Sequence, residues 1–158
     1  MELVGRVALV TGGSRGLGKA ITEELLRGGA HVMVMAREQA VLSEAVADFQ
    51  PMKSQPDQKV QAVSGDVALA EDVNRAVAET CQELGRLDVL VCNAGIYGPL
   101  GRIEDVPWDA WADAIAINLF GVVHCCRAAL PVMRQQRYGK IIALSGGGAT
   151  APLPRISA

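Results

Sequence analysis

The chain has 158 residues, of which 50% are hydrophobic and 20% are charged, and its formal net charge is −2 at pH 7. This length supports one domain with its own core, and the composition is globular, without a disordered tail or a low-complexity tract. The small negative charge does not favour nucleic acid or an anionic membrane as a partner. We also expect no membrane span, because no apolar run approaches the roughly 20 residues that a bilayer needs, and no signal peptide.

Strands and helices are predicted to alternate along the chain. The predicted strands cover residues 6–11, 30–36, 59–64, 88–92 and 139–145, and the predicted helices cover 16–27, 38–49, about 71–84 and 108–135. Residues 50–58, 96–107 and 146–158 are expected to be loops or irregular. In the last helix Pro131 is expected either to kink the helix or to end it early.

This alternation predicts an α/β fold with a Rossmann-like, doubly wound parallel sheet and helices on both faces. The predicted strand order is 3-2-1-4-5, with residues 1–158 forming a single nucleotide-binding domain. A ligand crevice is then expected at the carboxyl ends of strands 1 and 4, where the direction of winding reverses. Two sequence signals, a glycine-rich turn after strand 1 and an Asn-Ala-Gly break after strand 4, meet at that edge.

The turn after the first strand has glycines at positions 12, 16 and 18, and an amphipathic helix begins within it. Glycine lets the backbone approach a ligand closely, and the free N–H groups and dipole of a helix start attract an anion such as a phosphate. The alternative is a strand-to-helix turn that binds nothing. A P-loop nucleotide triphosphatase is excluded, because no Gly-Lys-Ser/Thr follows these glycines.

The residues after the second strand bear on which nucleotide binds. Dinucleotide folds usually have an acid at the end of this strand to bind the ribose 2′-hydroxyl. Here Ala36 occupies that position, Arg37 follows it, and Arg15 lies in the glycine turn. Two arginines without an acid favour a 2′-phosphate, and therefore NADP over NAD. The alternative is that Arg37 is simply a solvated residue at the end of a strand.

The four cysteines are predicted to be buried, reduced thiols of a cytoplasmic protein. Cys81, Cys92, Cys125 and Cys126 fall in predicted helices or a strand, and no pair has the spacing of a zinc site. No bound metal is expected.

Five segments, in order along all 158 residues, resemble the short-chain dehydrogenase/reductase family. They are a Thr-Gly-x-x-x-Gly-x-Gly cofactor motif, an Asp-Val pair after strand 3, an Asn-Asn-Ala-Gly segment in which Cys92 replaces the first Asn, a helix asparagine, and a strand that ends in serine. The resemblance implies coenzyme-binding roles for Gly12, Ser14, Arg15, Gly16, Leu17, Gly18, Asp66, Val67, Asn93, Ala94 and Gly95, and catalytic roles for Asn118 and Ser145. Arg37 joins the coenzyme-binding candidates on its charge alone.

Each of these polar residues also has a structural interpretation. Asp66 is either an adenine contact or a cap for the turn after strand 3. Asn93 is either a residue that accommodates a tight backbone turn at the end of its strand, or one that does so and also lines the crevice. Asn118 lies in an apolar helix, where a single polar side chain is more often a satisfied buried amide.

The chain departs from the family pattern in its catalytic residues. The family's Tyr-x-x-x-Lys pair is missing, because neither Tyr97 nor Tyr138 has a lysine four residues later. The tyrosine is expected just after position 158, so the sequence resembles the amino-terminal part of a longer reductase, with a sheet incomplete at its carboxyl end. The family often has Ser-Ser where this chain has Ser145-Gly146, and its second serine is generally the catalytic one. Ser145 matches the first serine, so it takes the catalytic position if the register shifts by one residue within 146–148.

The resemblance implies hydride transfer between NADP(H) and a small-molecule carbonyl or alcohol, in a full-length protein that forms a homo-oligomer. A non-catalytic NADP-binding module is the alternative function.

Overall fold

The computed structural model describes residues 3–146 and Arg155. A five-stranded parallel sheet crosses this part of the chain in the order β3-β2-β1-β4-β5. This confirms the predicted fold class and strand order. The strands are β1 (Val7–Thr11), β2 (His31–Ala36), β3 (Val60–Ser64), β4 (Val89–Cys92) and β5 (Lys140–Ala143). The predicted irregular segment 146–158 lies outside the described residues, apart from Gly146 and Arg155.

The helices are α1 (Gly16–Arg27), α2 (Gln39–Phe49), α3 (Ala70–Leu84), α4 (Trp108–Ile115) and α5 (Gly121–Gln136). A π-helical segment, Ala116–Phe120, joins α4 to α5, so that Trp108–Gln136 is one continuous helix, called here the long helix. Pro131 lies inside α5 and does not end it. Ala129 and Met133, on either side of the proline, are buried in the core, and this packing holds the helix together across the missing hydrogen bond.

Helices cover both faces of the sheet because successive side chains of each strand point to opposite faces. In β1, Leu9 packs into a core with α3 and α5, whereas Ala8 and Val10 pack into a second core with α1 and α2. All five residues of β1 are buried. This explains why the strands read as continuous apolar runs, and it fixes the loops after the strands at one edge of the sheet.

The long helix is long and apolar enough to cross a membrane, with a mean hydropathy of 1.6 over an 18-residue window. The sequence contains no uninterrupted apolar run of that length, and the helix reaches this hydropathy because an 18-residue window tolerates isolated polar residues. The core helix of a globular domain passes the same test. Here Cys125, Ala129 and Met133 of the long helix belong to the buried core beside the sheet, so its hydropathy is weak support for a membrane span.

The cysteine prediction holds for two of the four thiols. Cys92 and Cys125 are buried, but Cys81 and Cys126 are only partly buried, and all four are free. The Cys92 thiol lies beside the Cys125 thiol, and this hydrogen bond together with burial raises the pKa of Cys92. Within residues 3–146, no group of three or more His, Cys, Asp or Glu side chains is arranged to hold a metal ion.

Candidate functional site

A cleft of about 270 Å³ opens at the carboxyl ends of the strands, where β1 and β4 lie side by side. The loops that follow β1, β2, β3 and β4 form its walls, as expected at the point where a doubly wound sheet reverses direction. All of the predicted coenzyme-site residues except Gly16 line it, namely Gly12, Ser14, Arg15, Leu17, Gly18, Arg37, Asp66, Val67, Asn93, Ala94 and Gly95.

Sequence reasoning missed several residues of the cleft wall. Most are apolar or small and lie at strand ends or on the first turns of helices, next to residues that were predicted. Their only sequence signal is that adjacency. They are Met35, Glu38, Val41, Gly65 and Ile117. Glu38 matters most, since it adds a carboxylate directly beside Arg37 at the N-cap of α2, with no side-chain capping hydrogen bond.

The glycine turn packs too closely against β4 for side chains at two of its positions. Gly12 has φ +64°, and a Cβ atom there would lie 2.9 Å from the Cα of Ala94. A Cβ at Gly18 would overlap the carbonyl oxygen of Gly12 and the side-chain amide of Asn93. The turn therefore requires glycine at both positions. The helix that follows begins at the cleft, where its first N–H groups and its dipole favour an anion.

Hydrogen bonds tie the end of β4 to the glycine turn. The Thr11 hydroxyl accepts from the backbone N–H groups of Asn93 and Ala94, each at 3.1 Å. The Asn93 amide donates to the carbonyl oxygens of Thr11 and Gly12, at 2.9 and 3.0 Å. Asn93 thus lines the cleft and holds its two main loops together, which is the combined role that the sequence left open.

Opposite charges meet at the β2 side of the cleft. The Arg37 side chain is 55% exposed, and its Nη1 lies 4.0 Å from Oδ2 of Asp66. Ala36 lies in the cleft wall at the end of β2, the position where dinucleotide folds usually have an acid that binds the ribose 2′-hydroxyl. Arg15 and Arg37 supply the positive charge, while Asp66 and Glu38 supply the negative charge.

Asp66 caps the turn after β3, as its structural interpretation predicted, and it also lines the cleft. Its Oδ1 accepts from the backbone N–H of Ala68 at 2.9 Å. Val67 is fixed from the long helix, where Nδ1 of His124 lies 3.0 Å from the Val67 carbonyl oxygen. Because a carbonyl only accepts, this Nδ1 carries a proton. Both members of the predicted Asp-Val pair are therefore held in place at the cleft wall.

The two predicted catalytic residues, Asn118 and Ser145, are not among the residues that line the cleft. The Asn118 side chain accepts from the Ile96 N–H and donates to the Ile96 carbonyl, both at 2.9 Å. Its amide is thus occupied in fixing the loop after β4, as expected for a satisfied amide. Asn118 also lies within the π-helical segment, a distortion of helices that is often found at functional sites.

Ser145 follows the last strand and is exposed. The strand ends earlier than predicted, at Ala143, which pairs with Cys92 of β4. The backbone N–H of Leu144 still bonds to the Cys92 carbonyl at 3.0 Å, so the chain follows β4 up to that point. Ser145 is therefore at the same edge of the sheet as the cleft.

The family model for short chain dehydrogenases matches residues 6–158. The chain belongs to this family. Among its relatives, 11-beta-hydroxysteroid dehydrogenase A of Sesamum indicum is 35% identical over 158 residues, which cover 99% of this chain and 44% of the relative. The 3-oxoacyl-(acyl-carrier-protein) reductase FabG of Staphylococcus aureus is 40% identical over 140 residues, covering 87% and 54% of the two chains.

Solved structures of other proteins share the fold of this chain. An L-sorbose reductase from Gluconobacter frateurii, complexed with NADPH and L-sorbose, superposes with a TM-score of 0.90 at 31% identity. An NAD+-bound xylitol dehydrogenase superposes with a TM-score of 0.92 at 26% identity. Each match covers 99% of this chain and 58% of the other. The chain spans about half the length of the curated relatives it matches.

Proposed function

We propose that this chain is the coenzyme-binding part of an NADP-dependent short-chain oxidoreductase that interconverts a carbonyl and an alcohol by hydride transfer. The observation that carries the proposal is the composition of the cleft. Arg15 and Arg37 line it together with the start of α1, and the acid expected of an NAD site is replaced by Ala36.

The residues of the cleft fit a dinucleotide. The helix start and the backbone of the glycine turn offer N–H groups to the pyrophosphate, and the two guanidinium groups offer paired donors to a 2′-phosphate. Asp66 and Val67 form the wall for the adenine, and Asn93 keeps the two main loops at a fixed separation. When bound, NADP(H) supplies the hydride chemistry, while the protein orients the coenzyme.

Comparing affinities tests the coenzyme preference. Fluorescence titration of the chain with NADPH and with NADH is expected to give a dissociation constant for NADPH at least ten times lower, because the 2′-phosphate adds charge-assisted hydrogen bonds. Equal or tighter binding of NADH would refute the NADP assignment and leave the family assignment untouched. Glu38 is the residue to examine in that case, since its carboxylate lies beside Arg37.

We also propose that residues 1–158 alone turn over negligibly. In the family pattern Ser145 polarises the substrate oxygen and Asn118 supports a proton relay, but the chain contains no Tyr-x-x-x-Lys to move the proton. Losing a general acid or base costs roughly 10²–10⁴-fold in rate. NADPH oxidation with a panel of ketones and aldehydes should therefore stay near background, and ordinary reductase rates would contradict this proposal.

A non-catalytic NADP-binding module is the second candidate. It is favoured by one observation, the combination of a cleft lined by eleven of the twelve predicted coenzyme residues with no Tyr-x-x-x-Lys. Sequencing the transcript past the codon for Ala158 separates the two, since an in-frame Tyr-x-x-x-Lys supports the enzyme and a stop codon supports the module. A cytoplasmic location, small-molecule substrates and homo-oligomer formation of the full-length protein stay part of the proposal.

A further inference from the structure

Two residues outside the cleft clamp the loop after β3, and both come from the start of α3. Asp72 lies in the first turn of this helix and Arg75 lies one turn later. Neither lines the cleft. The loop that they contact carries Gly65 and Asp66, which do line it.

Each oxygen of the Asp72 carboxylate has its own partner. Oδ2 accepts from the backbone N–H of Asp66 at 2.9 Å, and Oδ1 accepts from Nη2 of Arg75 at 2.7 Å. The same Nη2 donates to the carbonyl oxygen of Ser64 at 2.9 Å. The clamp therefore holds the loop on both sides of Gly65, by its Ser64 carbonyl and by its Asp66 N–H.

The loop after β3 is also closely packed at Gly65. A Cβ atom at Gly65 would lie 3.1 Å from the Cβ of Asp72 and 2.9 Å from Cε of Met35, which also lines the cleft. The hydrogen bond from Asp66, followed by that from Arg75, lowers the pKa of Asp72 from its usual value. The carboxylate is therefore charged at neutral pH, and its bonds are charge-assisted.

We propose that Asp72, anchored by Arg75, is a positioning residue for the adenine and 2′-phosphate end of the coenzyme. It acts through Asp66, whose backbone N–H it binds and whose side chain lies 4.0 Å from Arg37. If the clamp is lost, the Asp66 carboxylate moves relative to both the adenine wall and the guanidinium. This inference rests on the proposed function, because it assigns a role within the proposed NADP cleft.

The test compares whole and half coenzymes on the 158-residue chain. Calorimetric titration with adenosine 2′,5′-bisphosphate is expected to show about ten-fold weaker binding to Asp72→Ala than to wild type. Nicotinamide mononucleotide is expected to bind Asp72→Ala and wild type with equal affinity, because loops other than the one after β3 form the part of the cleft proposed for the nicotinamide half. Asp72→Asn keeps an oxygen that accepts from Asp66, so it is expected to recover most of the affinity for the bisphosphate.

Glu79→Gln is the matched control. Glu79 contacts the same Arg75, at 3.6 Å, from one turn further along α3, but no contact joins it to the loop after β3 among the described residues. The affinity of the Glu79→Gln variant for the bisphosphate should equal that of wild type.

If Asp72→Ala does not fold, Arg75→Gln takes its place, with the same expected loss of affinity for the bisphosphate. The proposal is overturned if neither variant weakens binding of the bisphosphate, or if binding of the bisphosphate and of nicotinamide mononucleotide is weakened by the same factor. Wild type that binds neither NADPH nor the bisphosphate would overturn the proposed function itself.

Discussion

Arg37 carries a positive charge at the rim of the cleft. Among the described residues its ion-pair partner is Asp66, whose Oδ2 lies 4.0 Å away, too far for a strong hydrogen bond, and its side chain is half exposed. A guanidinium in this state is free to turn toward a phosphate and gains bidentate contacts when it does so. Under the proposed function, Arg37 is therefore the residue expected to distinguish NADPH from NADH.

Replacing Arg37 by serine is expected to weaken NADPH binding by about ten-fold or more, since a hydrogen bond to a charged group is worth about 1.5–3 kcal/mol. NADH binding should stay nearly unchanged. Fluorescence titration with both coenzymes measures the difference. Arg102→Ser is the control, because Arg102 is exposed and paired with Glu104 outside the cleft. An equal loss for both coenzymes would show that Arg37 does not contact the 2′-phosphate.

Gly18 and Gly16 offer a graded pair of substitutions in the same turn. A Cβ at Gly18 would overlap the Gly12 carbonyl oxygen, whereas a Cβ at Gly16 meets no atom within 4 Å and costs only the strain of φ +54°. That strain is about 1–2 kcal/mol. Gly18→Ala is therefore expected to weaken NADPH binding at least ten-fold, and more than Gly16→Ala, in the same titration. The reverse order would disprove the packing role of Gly18.

Several residues stabilise a loop and also line the cleft. The sequence alone did not decide between these two roles. Asp66 caps its turn and lines the cleft, and Asn93 ties two loops together while doing the same. The Asn118 side chain bonds to both backbone groups of Ile96 and does not line the cleft. A sequence motif identifies residue types at a spacing, but hydrogen-bond partners depend on loops that are distant along the chain.

At the scale of elements, the starts of β1 and β4 are joined by a buried carboxylate. Asp88 is completely buried and accepts from Nη1 of Arg6 at 3.0 Å, from the Val7 N–H at 3.0 Å and from Nη2 of Arg86 at 2.7 Å. Arg6 also lies over the ring of Tyr138, 4.3 Å from its centre. This cluster closes the end of the sheet that is opposite the cleft.

Asp88→Asn keeps the shape of the side chain but removes its charge and one acceptor. We expect it to lower the free energy of unfolding by about 1–3 kcal/mol, the usual cost of disrupting buried charge-assisted bonds. Urea denaturation followed by circular dichroism measures this change. Asp57→Asn, in an exposed loop position, should change stability by less than about 0.5 kcal/mol. Equal midpoints for the two variants would contradict the role of Asp88.

The π-helical segment is the element that sequence patterns did not indicate. Periodicity predicted one helix over residues 108–135, and the long helix has nearly those bounds. The extra residue per turn around Asn118 is a tertiary effect, because the Asn118 amide is bonded to Ile96 in a separate loop. Pro131, which the sequence did mark, does not end the helix, and Ala129 and Met133 on either side of it are buried in the core.

At the scale of the whole molecule, one face of the long helix exposes apolar side chains. Leu119, Phe120, Val123 and Leu130 recur at helical spacing and are each at least 40% exposed. In the sheet, β5 pairs with β4 on one side and is the last strand among the described residues. Exposed apolar faces and free strand edges both favour association between protein chains.

The chain is therefore expected to associate in solution as its concentration rises. The double substitution Val123→Glu and Leu130→Glu should raise the dissociation constant for self-association at least ten-fold, as measured by sedimentation velocity. Ile103→Glu removes a more exposed apolar side chain outside the long helix and should have little effect. A wild-type chain that stays monomeric and unfolds cooperatively at high temperature would contradict this prediction.

The sequence by itself determined the α/β class, the strand order and the position of the cleft. These follow from local patterns, since alternating strands and helices with right-handed crossovers leave few topologies, and a glycine turn marks the strand where winding reverses. Only the tertiary structure decided which polar groups are occupied and which are free. It showed Glu38 at the cleft beside Arg37, Asn118 held by Ile96, and Asp72 bound to Asp66. Such contacts depend on how loops that are distant in sequence pack together, and local sequence periodicity does not specify that packing.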